Sequence, residues 1–251
     1  MKLILPDNIF SKVLLSEIND SEKLQTEFSP SALISRRLIA EENSLGLIPT
    51  LDLLTFKDLF VSRVIGMSFN ALLSNSYIHF KEKQKTISEI FLCGDVSSNE
   101  AILSKILLKE FYNVNVNTTL LSRMPSEFSK NLLIVGDENF EQELFADGLS
   151  FAEEIIELIS APYVNFVLAG TNERLLKDFV SNHKNKFIRG HSENFGDLFP
   201  QMSNKSLDFL RLNIQHLIFD IEEQDIEGIK LLLQLPFFHG IINDIMDVTF
   251  V

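Results

Sequence analysis

Short apolar runs bounded by Gly, Pro, Asn, Asp or Ser alternate with longer amphipathic stretches along this chain. The runs "KLILP" (2–6), "LGLIP" (45–49), "DLFVSRVI" (58–65), "SFNALLS" (68–74), "EIFLC" (89–93), "VNVNTTLL" (114–121), "NLLIVGD" (131–137) and "VNFVLAG" (164–170) read as strands. Several are continuously apolar, as in a sheet covered on both faces. Between them lie helical patterns. In "SPSALISRRLIAEEN", Ser29 is placed to cap and Pro30 suits the first helical position. Ala32, Leu33, Ile34, Leu38 and Ile39 form an inner face there. "SSNEAILSKILLKEFY" puts Ile102, Leu103, Ile106, Leu107 and Phe111 on one side. "SFAEEIIELIS" and "TNERLLKDFVSNH" follow, and helices near 206–219 and 225–235 close the series.

Strands alternating with helices predict an α/β architecture. The polar stretch 77–90 suits a crossing between lobes. The expected division is residues 1–84 with 190–251 in one lobe and 85–189 in the other. Two crossings leave a cleft, a common place for a small ligand.

Composition narrows the ligand classes. The chain has 251 residues, 45% hydrophobic and 23% charged, with a formal net charge of −13. Nucleic acid needs a basic face to replace its counterions, so no nucleic-acid partner is expected, nor docking on anionic lipid. An anionic small molecule stays compatible, because a local field can oppose the net charge. The single cysteine, Cys93, cannot form an intrachain disulfide; it reads as a buried thiol in a reducing compartment. "MKLILPDNIF" is too short and too early broken by Pro6 for a signal peptide, and no run reaches a membrane span of roughly 20 residues. A cytoplasmic protein with no membrane insertion is the expectation, and a homo-oligomer is compatible with it. The histidines at 79, 183, 191, 216 and 239 lack metal-ligand spacing, and no G-x-G-x-x-G, P-loop or G-x-S-x-G pattern occurs. Neither a metal nor a cofactor is expected.

Polar helix starts carry the candidate chemistry. Ser97 and Glu100 have the spacing of a capping box, a complete local explanation for "DVSSNE". The same helix start offers free N–H groups and a positive dipole end to a carboxylate, with Ser98 and Asn99 as extra donors. "SPSAL" is a second such start. In "LIVGD", Gly136 permits close backbone approach and Asp137 can cap or accept. Both readings, cap and ligand contact, stand at each turn.

Taken in order, four stretches resemble a known family: "SPSALISRRLIAEENSLGLIPTLDLL" (29–54), "GMSFNALLSNSYIHFKE" (66–82), "FLCGDVSSNEAILSKILLKE" (91–110), and "NLLIVGDENF" with "GLSFAEEIIELISAPYVNFVLAG" (131–170). The order resembles the menaquinone-biosynthesis family of chorismate dehydratase and a related naphthoate-forming lyase, similar in fold to type II periplasmic solute-binding proteins. The resemblance covers roughly residues 29–175. It implies a two-lobed fold with two mixed sheets and an interlobe cleft holding a small carboxylate. It further implies substrate contacts from Ser29, Ser31, Thr50, Asp95, Ser97, Ser98, Asn99, Gly136 and Asp137. Asn8 and Ser68 are the implied catalytic residues, with Ser74 as the other serine for that part of the site. Where the family has two hydroxyl residues after its Asp-x-x-Ser turn, this chain has Glu100 and Ala101. The implied activity is a chorismate-dehydratase-like lyase of the futalosine route. The alternative is a noncatalytic organic-acid-binding protein of the same fold.

Overall fold

The computed structural model describes residues 1–18, 24–125, 129–184 and 195–251. The first lobe begins with β1 (Lys2–Pro6), α1 (Ile9–Glu17), β2 (Gln25–Ser29), α2 (Ser31–Ala40), β3 (Ser44–Pro49), a 3₁₀ turn (Thr50–Leu54) and β4 (Phe60–Phe69). The second lobe contains β5 (Ser76–His79), β6 (Glu89–Gly94), α3 (Ser98–Tyr112), β7 (Asn117–Leu120), β8 (Leu132–Val135), α4 (Glu138–Glu141), β9 (Leu149–Ser150) and α5 (Phe151–Ile159). The chain then returns through β10 (Tyr163–Gly170), α6 (Glu173–His183), α7 (Phe195–Leu198), α8 (Asn204–Asn213), β11 (Leu217–Asp220) and α9 (Glu223–Phe238).

Two mixed sheets result, one per lobe. Among the described residues the first has the order β11-β4-β10-β3-β1-β2 and the second β7-β6-β8-β5-β9. Each pairs parallel strands on one side (β3-β1-β2, β7-β6-β8) with antiparallel strands on the other. The continuously apolar runs occupy the covered positions: every residue of β3, β8 and β10 is buried. Each fully buried Leu or Ile side chain there contributes about 1.5–3 kcal/mol.

The sheets divide the chain differently from the expected bounds at 84/85 and 189/190. Strand β5 overlaps the start of the stretch read as a crossing, and it pairs with β8 and β9 of the second sheet. Strand β10, assigned by pattern to the second lobe, pairs with β3 and β4 of the first. Pattern alone cannot say which sheet a buried strand joins. The crossings are the segments 70–75 and 160–162; the expected bound at 189/190 lies outside the described residues.

Other differences have local causes. The runs 58–65 and 68–74 are one strand, β4, followed by the first crossing. The expected helix 206–219 stops at Asn213, because "LIFD" pairs as β11 with β4; a short apolar run looks alike in helix and strand. Helix α1 and edge strand β2 were not expected. In α2 the capping position falls on Pro30, without a side-chain cap, since Ser29 closes β2. The inward stripe of α2 is Ser31, Ile34, Ser35 and Leu38, whereas Leu33 and Ile39 are exposed. The chain end covers the open edge of β4: Val61 donates to the Thr249 carbonyl at 3.0 Å, and Val251 donates back to Val61 at 2.9 Å.

Candidate functional site

Strands β6 and β8 are parallel neighbours, and both end in Gly-Asp. Gly94 is paired with Val135, and Gly136 follows Val135 directly. Gly94 has φ 93° and Gly136 φ 110°, a region that favours glycine. A Cβ on Gly94 would stand 1.9 Å from the Val135 carbonyl oxygen. These turns project Asp95 and Asp137 from the second lobe onto the first.

Each aspartate meets a helix start of the first lobe. Asp95 accepts from the Ser31 N–H at 2.9 Å and from the Ser31 hydroxyl, at the start of α2. Asp137 accepts from the Ile9 N–H at 2.8 Å, at the start of α1, and from Lys12 at 3.4 Å. A third contact repeats the arrangement with an amide. The Asn99 side-chain oxygen, in the first turn of α3, accepts from the Leu51 N–H at 2.9 Å. Its nitrogen donates to the Asn165 carbonyl at 2.6 Å and to the Asn165 side chain at 2.8 Å. Thus three backbone donors at helical starts of the first lobe receive oxygens from the second. Orphan N–H groups and a positive dipole end make such starts natural acceptor-binding positions.

Beside these contacts lies a cavity of about 460 Å³ with walls from both lobes. Lys12, Phe28 and Ser29 face it from the first lobe; Asp95, Asp137, Glu138 and Glu141 face it from the second, and Asp7 stands at its side. Carboxylates therefore outnumber cations. Burial pushes the Asp95 carboxyl above its ordinary range, opposed by the Ser31 hydroxyl and N–H and reinforced by Asp7 and Glu138. Burial likewise raises Asp137, against the Ile9 N–H and Lys12. Asp52, which accepts from Ser35 at 2.5 Å, and Glu100 are raised mainly by burial too.

Of the sequence-derived candidates, Ser29, Asp95, Gly136 and Asp137 line this cavity, and Ser31 and Asn99 tie the lobes together beside it. Ser97 forms the capping box with Glu100, its N–H donating to that carboxylate at 2.9 Å. Ser98 opens α3 near Asp52. Thr50 donates to the Val164 carbonyl at 2.6 Å and belongs to the core. Ser74 fastens the first crossing: its hydroxyl accepts from the Ser76 and Ala152 N–H groups, each at 3.1 Å. The two implied catalytic residues stand apart from the cavity wall. Asn8 caps α1, accepting from the Ser11 N–H at 2.9 Å, and is fully buried. Ser68 donates to Asp225 at 2.6 Å inside the first lobe.

Sequence reading missed Lys12, Phe28, Asp52 and Asn165. It also missed that "FLCGD" and "LIVGD" repeat one pattern, which is the signal that would have coupled Asp95 to Asp137. Among the described residues no group of His, Cys, Asp and Glu is arranged for a metal ion, and no helix is long and apolar enough to cross a membrane.

The architecture is that of the type II periplasmic-binding-protein-like class. No family model and no curated protein matches the chain. Solved structures do. An ABC transporter protein from Parabacteroides distasonis superposes with a TM-score of 0.66 at 10% identity, over 100% of this chain and 98% of that one. The periplasmic aliphatic sulphonate binding protein SsuA from Escherichia coli gives 0.61 at 11% identity, over 99% and 90%. An Archaeoglobus fulgidus protein gives 0.61 at 10% identity, over 96% and 98%. At these identities the likeness concerns the fold.

Proposed function

We propose that this chain binds a small organic acid between its lobes, as a binding protein rather than an enzyme. One observation carries the reading: donors at the starts of α1, α2 and the 3₁₀ turn converge on one seam, and each already holds an acceptor oxygen. A ligand carboxylate or sulfonate presents the same oxygens. One structural neighbour is an aliphatic sulphonate binding protein, in agreement with that chemistry. Residence in a reducing compartment is part of the proposal, supported by the lone buried Cys93.

Dehydration of chorismate, the activity implied by the family resemblance, is the second reading. It is favoured by the order of the resembling motifs and by Asp95 and Asp137, wall carboxyls with raised proton affinity. Against it, Asn8 and Ser68 are buried and engaged within their own lobe.

Thermal unfolding with chorismate, benzoate, succinate or ethanesulfonate tests the proposal, with chorismate samples assayed for 3-enolpyruvylbenzoate. Saturation at a hundred times Kd adds about 2.7 kcal/mol to stability. The expected result is a raised Tm with at least one acid and no turnover. Turnover would install the lyase reading. No stabilisation by any acid at millimolar concentration would overturn both.

A further inference from the structure

We infer that the ligand-free chain is closed by its own carboxylates: Asp95 and Asp137 occupy the helix starts of the opposite lobe and must be displaced before an exogenous acid can bind there. The second half of this statement rests on the organic-acid reading; the first does not. The geometry is specific. Both aspartates follow a left-handed glycine at the ends of adjacent parallel strands, so the two carboxylates leave the second lobe side by side. Their partners are Ser31 and Ile9, the first residues of α2 and α1, on sequential units of the first sheet. The contacts span 64 and 128 residues, so they join lobes and not neighbouring turns.

The surroundings explain why an incoming anion must replace these side chains and cannot sit beside them. With Asp95 and Asp137 in place, the cavity also faces Asp7, Glu138 and Glu141, and Lys12 is already committed to Asp137. An added carboxylate in that space meets like charges at short range in a partly desolvated site. If the lobes separate, Asp95 and Asp137 withdraw with the second sheet, and the N–H groups of Ile9 and Ser31 become free donors. Asn8 adds an amide nitrogen at the start of α1, buried and without a partner among the described residues.

The test compares the ligand-free chain with Asp95→Ala/Asp137→Ala and with Asp95→Asn/Asp137→Asn, by solution X-ray scattering and by affinity for the acid found above. The alanine variant loses both acceptors; it is expected to show a larger radius of gyration and at least tenfold tighter acid binding. The asparagine variant keeps an acceptor oxygen at each position and is expected to stay compact. An alanine variant as compact as the wild type, with native circular dichroism, would overturn the closure. Opening without a gain in affinity would overturn the competition. If no variant binds any acid, the ligand reading fails, while scattering still decides the closure. Should the alanine variant not fold, amide exchange in the wild type decides. The Ile9 and Ser31 N–H groups must both be protected without ligand, and rapid exchange at both ends the inference.

Discussion

At the outer edge of the first sheet, Glu27 and Glu41 sit half in water against Lys2 and Arg37. At the seam between the lobes, Asp52, Asp95, Glu100 and Asp137 sit largely out of water against serines and backbone amides. The side chains are chemically the same, but their environments act in opposite directions. The Arg37 and Lys2 donors hold Glu27 down to about 2, and Lys2 holds Glu41 below its ordinary range. Burial lifts all four seam carboxyls, and their hydrogen bonds recover only part of that loss. The edge is ordinary surface ion pairing. At the seam, charge is held out of water at an energetic cost, and for Asp95 and Asp137 the contact made in return joins the lobes. Retained buried charge of that kind fits a position that has to exchange partners better than one that only supports the fold.

The largest effect that could break this contrast belongs to the seam's uncharged member. Asn99→Ala strips the Leu51 N–H of its acceptor and removes a donor from the Asn165 carbonyl and side-chain oxygens, all of them buried, although the Tyr163 hydroxyl still donates to that side-chain oxygen at 3.0 Å. Leaving buried groups unpaired costs about 1–3 kcal/mol each. The expected loss is about 3 kcal/mol in urea unfolding with an unchanged m-value. A loss below about 0.5 kcal/mol, the range of ordinary surface substitutions, would show that the seam is as dispensable as surface.

Asp95→Asn sharpens the charge argument. The amide keeps an oxygen for Ser31 but removes the buried charge. A gain of about 1 kcal/mol at pH 7 corresponds to about 2–4 °C in Tm for a chain of this size. The gain should shrink on acidification, because the native carboxyl, raised by burial, takes up its own proton before an ordinary aspartate does. A lower Tm at pH 7 would mean that the charge itself, through the α2 dipole, is what Ser31 needs.

The same logic sets the pH profile of the wild type. For Asp52, Asp95, Glu100 and Asp137 the folded pKa lies above the unfolded one. The folded chain therefore binds more protons within that interval, and stability is lost as pH rises through it. The charges facing these groups are Asp7 and Glu138 for Asp95, Lys12 and Glu141 for Asp137, Arg36 for Asp52, and Asp95 for Glu100. Glu27 and Glu41 act in reverse. Their contribution is present above the ordinary carboxylate range and is lost as pH falls, for Glu27 down through about 2. On acidification from neutral pH the urea midpoint should first rise, as the raised seam carboxyls take up protons, and then fall through the ordinary carboxylate range as the Glu27 and Glu41 contributions are lost. A midpoint that falls monotonically on acidification would make the edge, not the seam, the dominant acid system.

How much of this was legible beforehand follows from what is local. The strands "KLILP", "LGLIP" and "VNFVLAG" and the Ser97–Glu100 capping box depend on adjacent residues, and all form as read. Helix α1 escaped notice because nothing local in "LPDNIF" marks Asn8 as a cap and not the catalytic residue the resemblance implies. The capping role of Asn8 shows only through Ser11, three residues on. Ser68 and Ser74 look like exposed hydroxyls in sequence, yet Asp225 and the Ala152 amide claim them from 157 and 78 residues away. Sheet membership of β5 and β10 is non-local for the same reason. The seam combines both kinds of information: its Gly-Asp turns are local and repeated, and the partners of those turns are set by the fold alone.

The smallest expected effect closes the comparison from the edge side. Glu27→Gln removes one carboxylate from a cluster in which Glu41 still serves both Lys2 and Arg37. The Glu27 side chain is 41% exposed, so water and salt already screen its pairs, and fixing two long cations costs side-chain entropy that the variant recovers. The urea midpoint at 0.15 M NaCl should therefore move only slightly downward, and the difference should disappear at 1 M NaCl, where the screening length is about 3 Å. A salt-independent loss as large as that of Asn99→Ala would put a desolvated ion pair at the sheet edge. The two regions would then differ in the sign of their partners, not in their exposure to water, and burial would no longer explain why the seam carboxyls are raised.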